Sequence, residues 1–141
     1  MAQDKLIDIE IVTPQKKVFE GKAQSVTVPG VQAPFQILYN HAPIVSTLEL
    51  GAIKISDENN KTILFATSEG FTEVQRNHIS ILVESAENAA DLDIDKINQA
   101  ISDEKEKMTT SDSPDEIDAA KKRISIAENQ IKAAEKYRQY A

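Results

Sequence analysis

Near Ser85 the chain changes character, and that break limits what it can fold into. Every glycine, every phenylalanine, every valine and four of the five prolines lie before it. Beyond it come alanine and charge, and no glycine. Glycine and proline punctuate strands, β-branched and aromatic side chains suit a pleated surface, and alanine with long charged residues suits a helix. A chain of 141 residues divided in this way predicts a β-rich body over residues 1–86 and a helical arm over residues 87–141.

In the first part Ile7, Ile9 and Ile11 alternate with Asp8 and Glu10, the period of a half-buried strand. Thr13-Pro14 ends the run, because proline cannot donate to a ladder. Similar runs follow at residues 24–28, 35–39, 52–56, 62–67 and 78–83. Turn signals separate them at Pro29-Gly30, in the Asn- and Asp-rich stretch 57–61, and at Arg76-Asn77. Many short strands at even spacing predict an antiparallel β-sandwich or flattened barrel.

In the second part Ile94, Ile97, Ala100 and Ile101 share one helical face, and Asp91 and Asp93 stand near its start, where carboxylates suit the helix dipole. A polar break is expected at residues 109–112. Ser113-Pro114-Asp115-Glu116 then reads as a capping box with proline at the first helical position. Ile117, Ile124 and Ile131 recur every seven residues, and Ala120, Ala127 and Ala134 stand three positions behind each. That is a heptad seam whose small alanines admit a close neighbour. Asp103 with Lys107, Asp118 with Lys122 and Glu128 with Lys132 are spaced for ion pairs along a helix. The short connection predicts an antiparallel hairpin, so the fold class is α+β: a β-sandwich followed by an α-helical hairpin. Its apolar seam is thin, so the arm needs the sandwich or a partner to hold it.

The net charge of −7 divides as −3 over residues 1–86 (7 basic, 10 acidic) and −4 over residues 87–141 (9 basic, 13 acidic). Neither part offers the basic surface that phosphate neutralisation or a polybasic membrane anchor needs. The absence of cysteine excludes disulfides, thiolate metal sites and thiol catalysis. Met1 to Lys5 runs straight into strand-like sequence, so no signal or transit peptide is expected there. No apolar run approaches the roughly 20 residues a spanning helix needs, so membrane association is expected through a partner.

The order of short motifs is specific. Ile11-Val12-Thr13-Pro14, Val18-Phe19-Glu20-Gly21, Val26-Thr27-Val28-Pro29-Gly30, Phe35-Gln36-Ile37-Leu38, Asn40-His41-Ala42-Pro43 and Gly51 are followed by Ser68-Glu69-Gly70-Phe71-Thr72-Glu73-Val74. With this order and its two parts, the chain resembles the epsilon subunit of bacterial F-type ATP synthases along its whole length. The resemblance implies a non-catalytic central-stalk rotor subunit of a proton-translocating enzyme, on the cytoplasmic face of the bacterial inner membrane. It implies a sandwich seated on the gamma subunit and the c-ring. It also implies a hairpin that folds on the sandwich or extends towards the alpha and beta subunits and restrains ATP hydrolysis.

By the same resemblance, Gln32, Pro34, His41, Ala42 and Pro43 are the expected contacts with gamma and the c-ring. Lys121, Lys122, Arg123, Lys132 and Lys136 are candidates for the extended arm's contact with an acidic surface; their alternative is ordinary solubility. No cofactor is expected. Some relatives bind ATP on the hairpin through a pattern like Ile/Leu-Asp-x-x-Arg-Ala, where this chain has Leu92-Asp93-Ile94-Asp95-Lys96-Ile97. Lysine lacks the planar fork of arginine, so a site from Asp93, Lys96 and Arg123 is expected to bind ATP weakly or not at all. The loop Gly30-Val31-Gln32-Ala33-Pro34 also lacks the glycine and acidic residue often found there in the family.

Two other functional classes compete. A stand-alone ligand-binding sandwich, for carbohydrate for instance, is disfavoured by 5% aromatic content and no tryptophan. A small hydrolase finds no local constellation among two histidines and no cysteine. His41 also reads as a turn residue before Ala42-Pro43, and His78 as a hairpin flank. Removal of residues 87–141 is expected to leave a folded sandwich that still binds gamma.

Overall fold

A computed structural model describes residues 5–140. The first four residues, where no leader is expected, lie outside them. Nine strands come first: β1 (Ile7–Val12), β2 (Lys17–Val28), β3 (Phe35–Leu38), β4 (Ile44–Leu48), β5 (Gly51–Asp57), β6 (Thr62–Thr67), β7 (Gly70–Gln75), β8 (His78–Val83) and β9 (Ala86–Asn88). They are hydrogen-bonded in the order β4-β7-β8-β1-β2-β5-β6-β9, with β3 on β2 beside this path. Every pairing is antiparallel except β1 with β8.

The alternation in β1 places Ile7, Ile9 and Ile11 in the core at 1% exposure or less. The twelve-residue β2 is longer than its apolar run. Its first half pairs with β1 and its second half with β3 and β5, and a register shift between Ala23 and Ser25 marks the changeover. Such irregularities bend a strand, which lets one strand serve both layers. Val26, Val28, Ile37, Leu48, Ile53, Ile55, Ile79 and Ile81 fill the interior between them. Phe19 and Phe65 meet edge to face with ring centroids 5.6 Å apart.

Strands β4 and β7 are additions to the runs read from sequence, and β9 straddles the expected body–arm boundary by pairing Ala86–Asn88 with β6. At Arg76-Asn77 both residues take positive φ, 51° and 60°. Gln75 pairs with His78 across them. This is the two-residue mirror-image turn whose twist suits a hairpin.

A 3₁₀ turn, Ala89–Asp91, leads into α1 (Ile94–Thr110) and α2 (Pro114–Arg138). Asp93 caps α1 by accepting from the backbone N–H groups of Asp95 and Lys96. The expected break at 109–112 is shorter: α1 runs through Thr110, whose hydroxyl returns to the carbonyls of the preceding turn. Ser113 caps α2 by accepting from Glu116 N–H at 3.4 Å. The other half of the capping box is relayed, since the Ser111 hydroxyl accepts from Ser113 N–H at 3.2 Å and donates to the Glu116 carboxylate at 2.7 Å. The three expected helix-surface ion pairs do not form. Asp103 accepts from Gln99, while Lys107 and Arg123 both turn to Glu104, at 3.6 and 2.9 Å.

The arm lies on the sandwich. Ala133, with Tyr137 beside it, packs on Leu64 and Ala66 of β6, Ala52 of β5 and Ala89. Asn129 Nδ2 donates to the Gly51 carbonyl at 2.9 Å, and Lys54 Nζ stands 4.6 Å from the Tyr140 ring centroid. Residues 129, 133 and 137 recur every four positions, a stripe distinct from the isoleucine–alanine seam. At roughly 100° per residue the seam points away from this stripe. Within it Ala120 and Ala134 are buried and Ile117, Ile124 and Ile131 half-buried.

Candidate docking interface

The loop between β3 and β4 is held by side-chain amides. Asn40 sits at φ 63°, a left-handed conformation that asparagine tolerates. Its backbone N–H donates to Asn77 Oδ1 at 2.6 Å, and Asn77 Nδ2 donates back to Asn40 Oδ1 at 3.1 Å. The β7–β8 turn thereby clamps the loop that carries His41, Ala42 and Pro43. His41 N–H donates to the Leu38 carbonyl at 3.1 Å, and Nδ1 lies 2.7 Å from the Ala42 carbonyl, which requires the proton on that nitrogen. Its ring is 6.4 Å from that of Phe35. Ala42 and Pro43 are exposed.

Gln32 and Pro34 are exposed in the β2–β3 turn. Val31 N–H donates to the Thr47 carbonyl at 3.2 Å, and Glu49 N–H to the Pro29 carbonyl at 2.9 Å, so the turn is stitched to the end of β4. Phe35 follows Pro34 directly, and its approach to His41 brings the two expected contact loops together. His41 alone of the five is half-buried; the other four project into solvent.

Sequence reading missed the apolar face beside these loops. Cross-strand pairing aligns Thr47 with Phe71, Phe71 with Leu82, and Leu82 with Val12. This row crosses the outer surface of β4, β7, β8 and β1. Phe71 is 47% exposed and Leu82 41%, and Val31 at 53% overhangs the row. Together they line an open groove of about 750 Å³. The signal was present in β7, where Phe71, Glu73 and Gln75 alternate with Thr72 and Val74. The buried set is Thr72 and Val74, which turns the phenylalanine outwards. Thr72 is accommodated inside because its hydroxyl donates to the Ser80 carbonyl at 3.3 Å.

The acid-rich surface beyond the row is partly paired. Glu10 lies 3.3 Å from Lys17 and accepts from the Ser80 hydroxyl. These two hydrogen bonds, Lys17 first, hold its carboxyl below the usual carboxylate range. No group of three or more His, Asp or Glu among the described residues could hold a metal ion.

On the arm, Lys121, Lys122, Lys132 and Lys136 are exposed within roughly 100° of arc around α2. Arg123 stands apart from them, its guanidinium 2.9 Å from Glu104. The hydrogen bond from Arg123 is the main cause that lowers the Glu104 pKa. Asp93, Lys96 and Arg123 are not brought together. Asp93 is spent on the α1 cap, and Glu104, the partner of Arg123, lies eight residues past Lys96, roughly 12 Å along the helix axis.

Three comparisons bear on kinship. The family described as "ATP synthase, Delta/Epsilon chain, beta-sandwich domain" matches residues 6–89. An ATP synthase epsilon chain of Maricaulis maris is 37% identical over 117 residues, covering 83% of this chain and 86% of its own length. One of Desulforamulus reducens is 32% identical over 127 residues, covering 90% and 96%. Among solved structures, a chain of the Euglena gracilis mitochondrial ATP synthase (OSCP/F1/c-ring) matches with a TM-score of 0.73 at 17% identity, over 88% of this chain and 78% of that one. A chain of the Tetrahymena thermophila mitochondrial ATP synthase (central stalk/c-ring) gives 0.56 at 24% identity, over 90% and 95%. At such identities the structural likenesses speak to the fold alone. The family match over the sandwich, with relatives that share both sandwich and arm, shows that the chain belongs to the ATP synthase epsilon-chain family.

Proposed function

We propose that the chain couples rotation to the catalytic head as a rotor subunit of an F-type ATP synthase, and that its arm restrains ATP hydrolysis. Within that enzyme it is a non-catalytic subunit. The sandwich binds gamma and the c-ring, with Gln32, Pro34, His41, Ala42 and Pro43 at the contact. The chain lies on the cytoplasmic face of the bacterial inner membrane, peripheral through the ATP synthase complex. No described helix is long and apolar enough to cross a bilayer.

The observation that carries the regulatory half is the way the arm is seated. Its hold on the sheet is an alanine-lined patch around Ala133, one hydrogen bond from Asn129 and a lysine–ring contact at Tyr140. To that patch α2 brings only Ala133 and the half-buried Tyr137, against Leu64 and its neighbouring alanines, so the docked state is only modestly favoured and a competing partner can draw the arm away. Released, α2 would carry Lys121, Lys122, Lys132 and Lys136 towards the alpha and beta subunits. ATP plays no strong part, because Asp93, Lys96 and Arg123 stand apart, and Asp93 and Arg123 are already engaged.

The test is reconstitution of an epsilon-depleted ATP synthase with the full chain and with a chain ending at Asp91, which retains β9. Both should restore coupled proton pumping, and the shortened chain should raise ATP hydrolysis. Equal hydrolysis with the two chains under every nucleotide condition would reject the restraint. Failure of the full chain to bind would reject the rotor reading.

A further inference from the structure

The sheet layer that carries the arm is covered by it only in part. Across β3, β2, β5 and β6 the outward side chains form two adjacent rows. Gln36, Thr27, Lys54 and Leu64 make one, and Leu38, Ser25, Ser56 and Thr62 the other. Leu64 lies under Ala133 of the arm. The polar members of both rows line a cleft of about 350 Å³, which Asn60 joins from the β5–β6 turn. Ser25 pairs with Ser56 and Thr27 with Lys54 on the two central strands. These four are the corners of a rectangle roughly 5 Å across the strands and roughly 7 Å along them. Lys54 Nζ also stands 4.6 Å from the ring centroid of Tyr140, just past the end of α2.

No carboxylate lines the cleft, although the chain carries a net charge of −7. Among the described residues Lys54 has no ion-pair partner. The one hydrogen bond between lining side chains runs from the Ser56 hydroxyl to Asn60 Oδ1 at 3.3 Å, which leaves the hydroxyls of Ser25 and Thr27 to donate outwards. Asp57, next to Ser56 in the chain, is turned to its own loop. Its carboxylate accepts from the backbone N–H groups of Asn59 and Lys61 at 2.9 and 2.8 Å. We propose that this cleft binds a tetrahedral oxyanion of the phosphate class, as a free ion or as the phosphate group of a larger molecule. The Lys54 ammonium supplies charge without direction, and the Ser25 and Thr27 hydroxyls supply direction by donating to the anion's oxygens. Charge-assisted bonds are the stronger ones, so Lys54 contributes most of the attraction. The site is separate from Asp93, Lys96 and Arg123 and does not depend on the rotor reading. Because Lys54 also meets Tyr140, the bound anion is felt at the end of the arm.

The test is a nuclear magnetic resonance titration of the full chain with inorganic phosphate at constant ionic strength, repeated with glycerol phosphate. Saturable shifts are expected at Ser25, Thr27, Lys54 and Ser56, and at Tyr140. Lys54→Met keeps the stem and removes the charge, and should weaken binding about tenfold or more. Thr27→Val keeps the shape and removes the hydroxyl, and should weaken it several-fold. Thr27 does not touch the arm, so that loss is not transmitted through Tyr140. Lys16→Met in the β1–β2 turn is the matched loss of charge and should bind as the unaltered chain does. Equal binding of the two probes identifies the phosphate group of a larger molecule, and binding of inorganic phosphate alone identifies the free ion. Two results overturn the inference: shifts that rise without saturation and spread over the exposed lysines, or folded Lys54→Met and Thr27→Val variants that saturate at the same concentration as the unaltered chain.

Discussion

Asn77→Gly tests how the contact loop is held. Glycine at φ 60° keeps the hairpin turn, so the substitution removes the amide clamp and little else. Two hydrogen bonds go, from Asn40 N–H at 2.6 Å and to Asn40 Oδ1 at 3.1 Å. At about 0.5–1.5 kcal/mol each, and near the lower end at a partly solvated site, their loss costs about 1–2 kcal/mol. For a chain of 141 residues that lowers the midpoint of thermal unfolding by about 3–6 °C. Arg76→Gly is the matched control. It relieves a left-handed arginine at φ 51° and removes no hydrogen bond of this clamp, so stability should hold or rise by up to about 1 kcal/mol. Calorimetry of the two variants measures the contrast, and amide exchange across residues 40–43 localises it. The clamp is refuted if Asn77→Gly is as stable as Arg76→Gly and the loop exchanges no faster.

Three further outcomes follow from the geometry. Gly70→Ala should destabilise the sandwich by about 2 kcal/mol or more, because an added Cβ collides with the Leu82 carbonyl across β7 and β8; chemical denaturation reads it. Glu104 is held by Arg123 with its pKa below the ordinary 4.5, so its contribution to the arm is full above that value and is lost as pH falls through the lowered folded-state value. Helix content of the arm should drop over that acid window at low salt, and Glu104→Gln should remove the step. Titration calorimetry of ATP into the isolated chain should show weak or no heat, and micromolar affinity would contradict the separation of Asp93, Lys96 and Arg123.

The sequence showed local things and hid non-local ones. Strand β1 was legible because its isoleucines alternate, and Asp93 and Ser113 were legible as caps because capping needs a single residue type at a single place. Strand β4 was not, since Ile44 and Val45 are both exposed on an edge and break the alternation of a half-buried strand. β9 is three residues long and carries no period. Gln32, Pro34, His41, Ala42 and Pro43 came from resemblance. The amides that order their loop, Asn40 and Asn77, are 37 residues apart and meet only in the fold. The groove shares that origin, for Val12, Thr47, Phe71 and Leu82 lie on four strands. Of the ion pairs drawn along single helices, Asp103 with Lys107 lost to Glu104, which takes Lys107 one turn away and Arg123 from across the hairpin, a contact that spacing along one helix does not reveal.

That the arm rests on the body by a small patch and leaves it within the assembly is the claim on which the functional account turns. The chain has no cysteine, so spin labels at Asn59→Cys on the sandwich and Ala119→Cys on α2 report one distance without further changes. Pulsed electron resonance on the isolated chain should give one narrow distribution, and on the assembled ATP synthase a second, longer one whose weight shifts with nucleotide. One unchanged distribution in both settings, under every nucleotide condition, would contradict it.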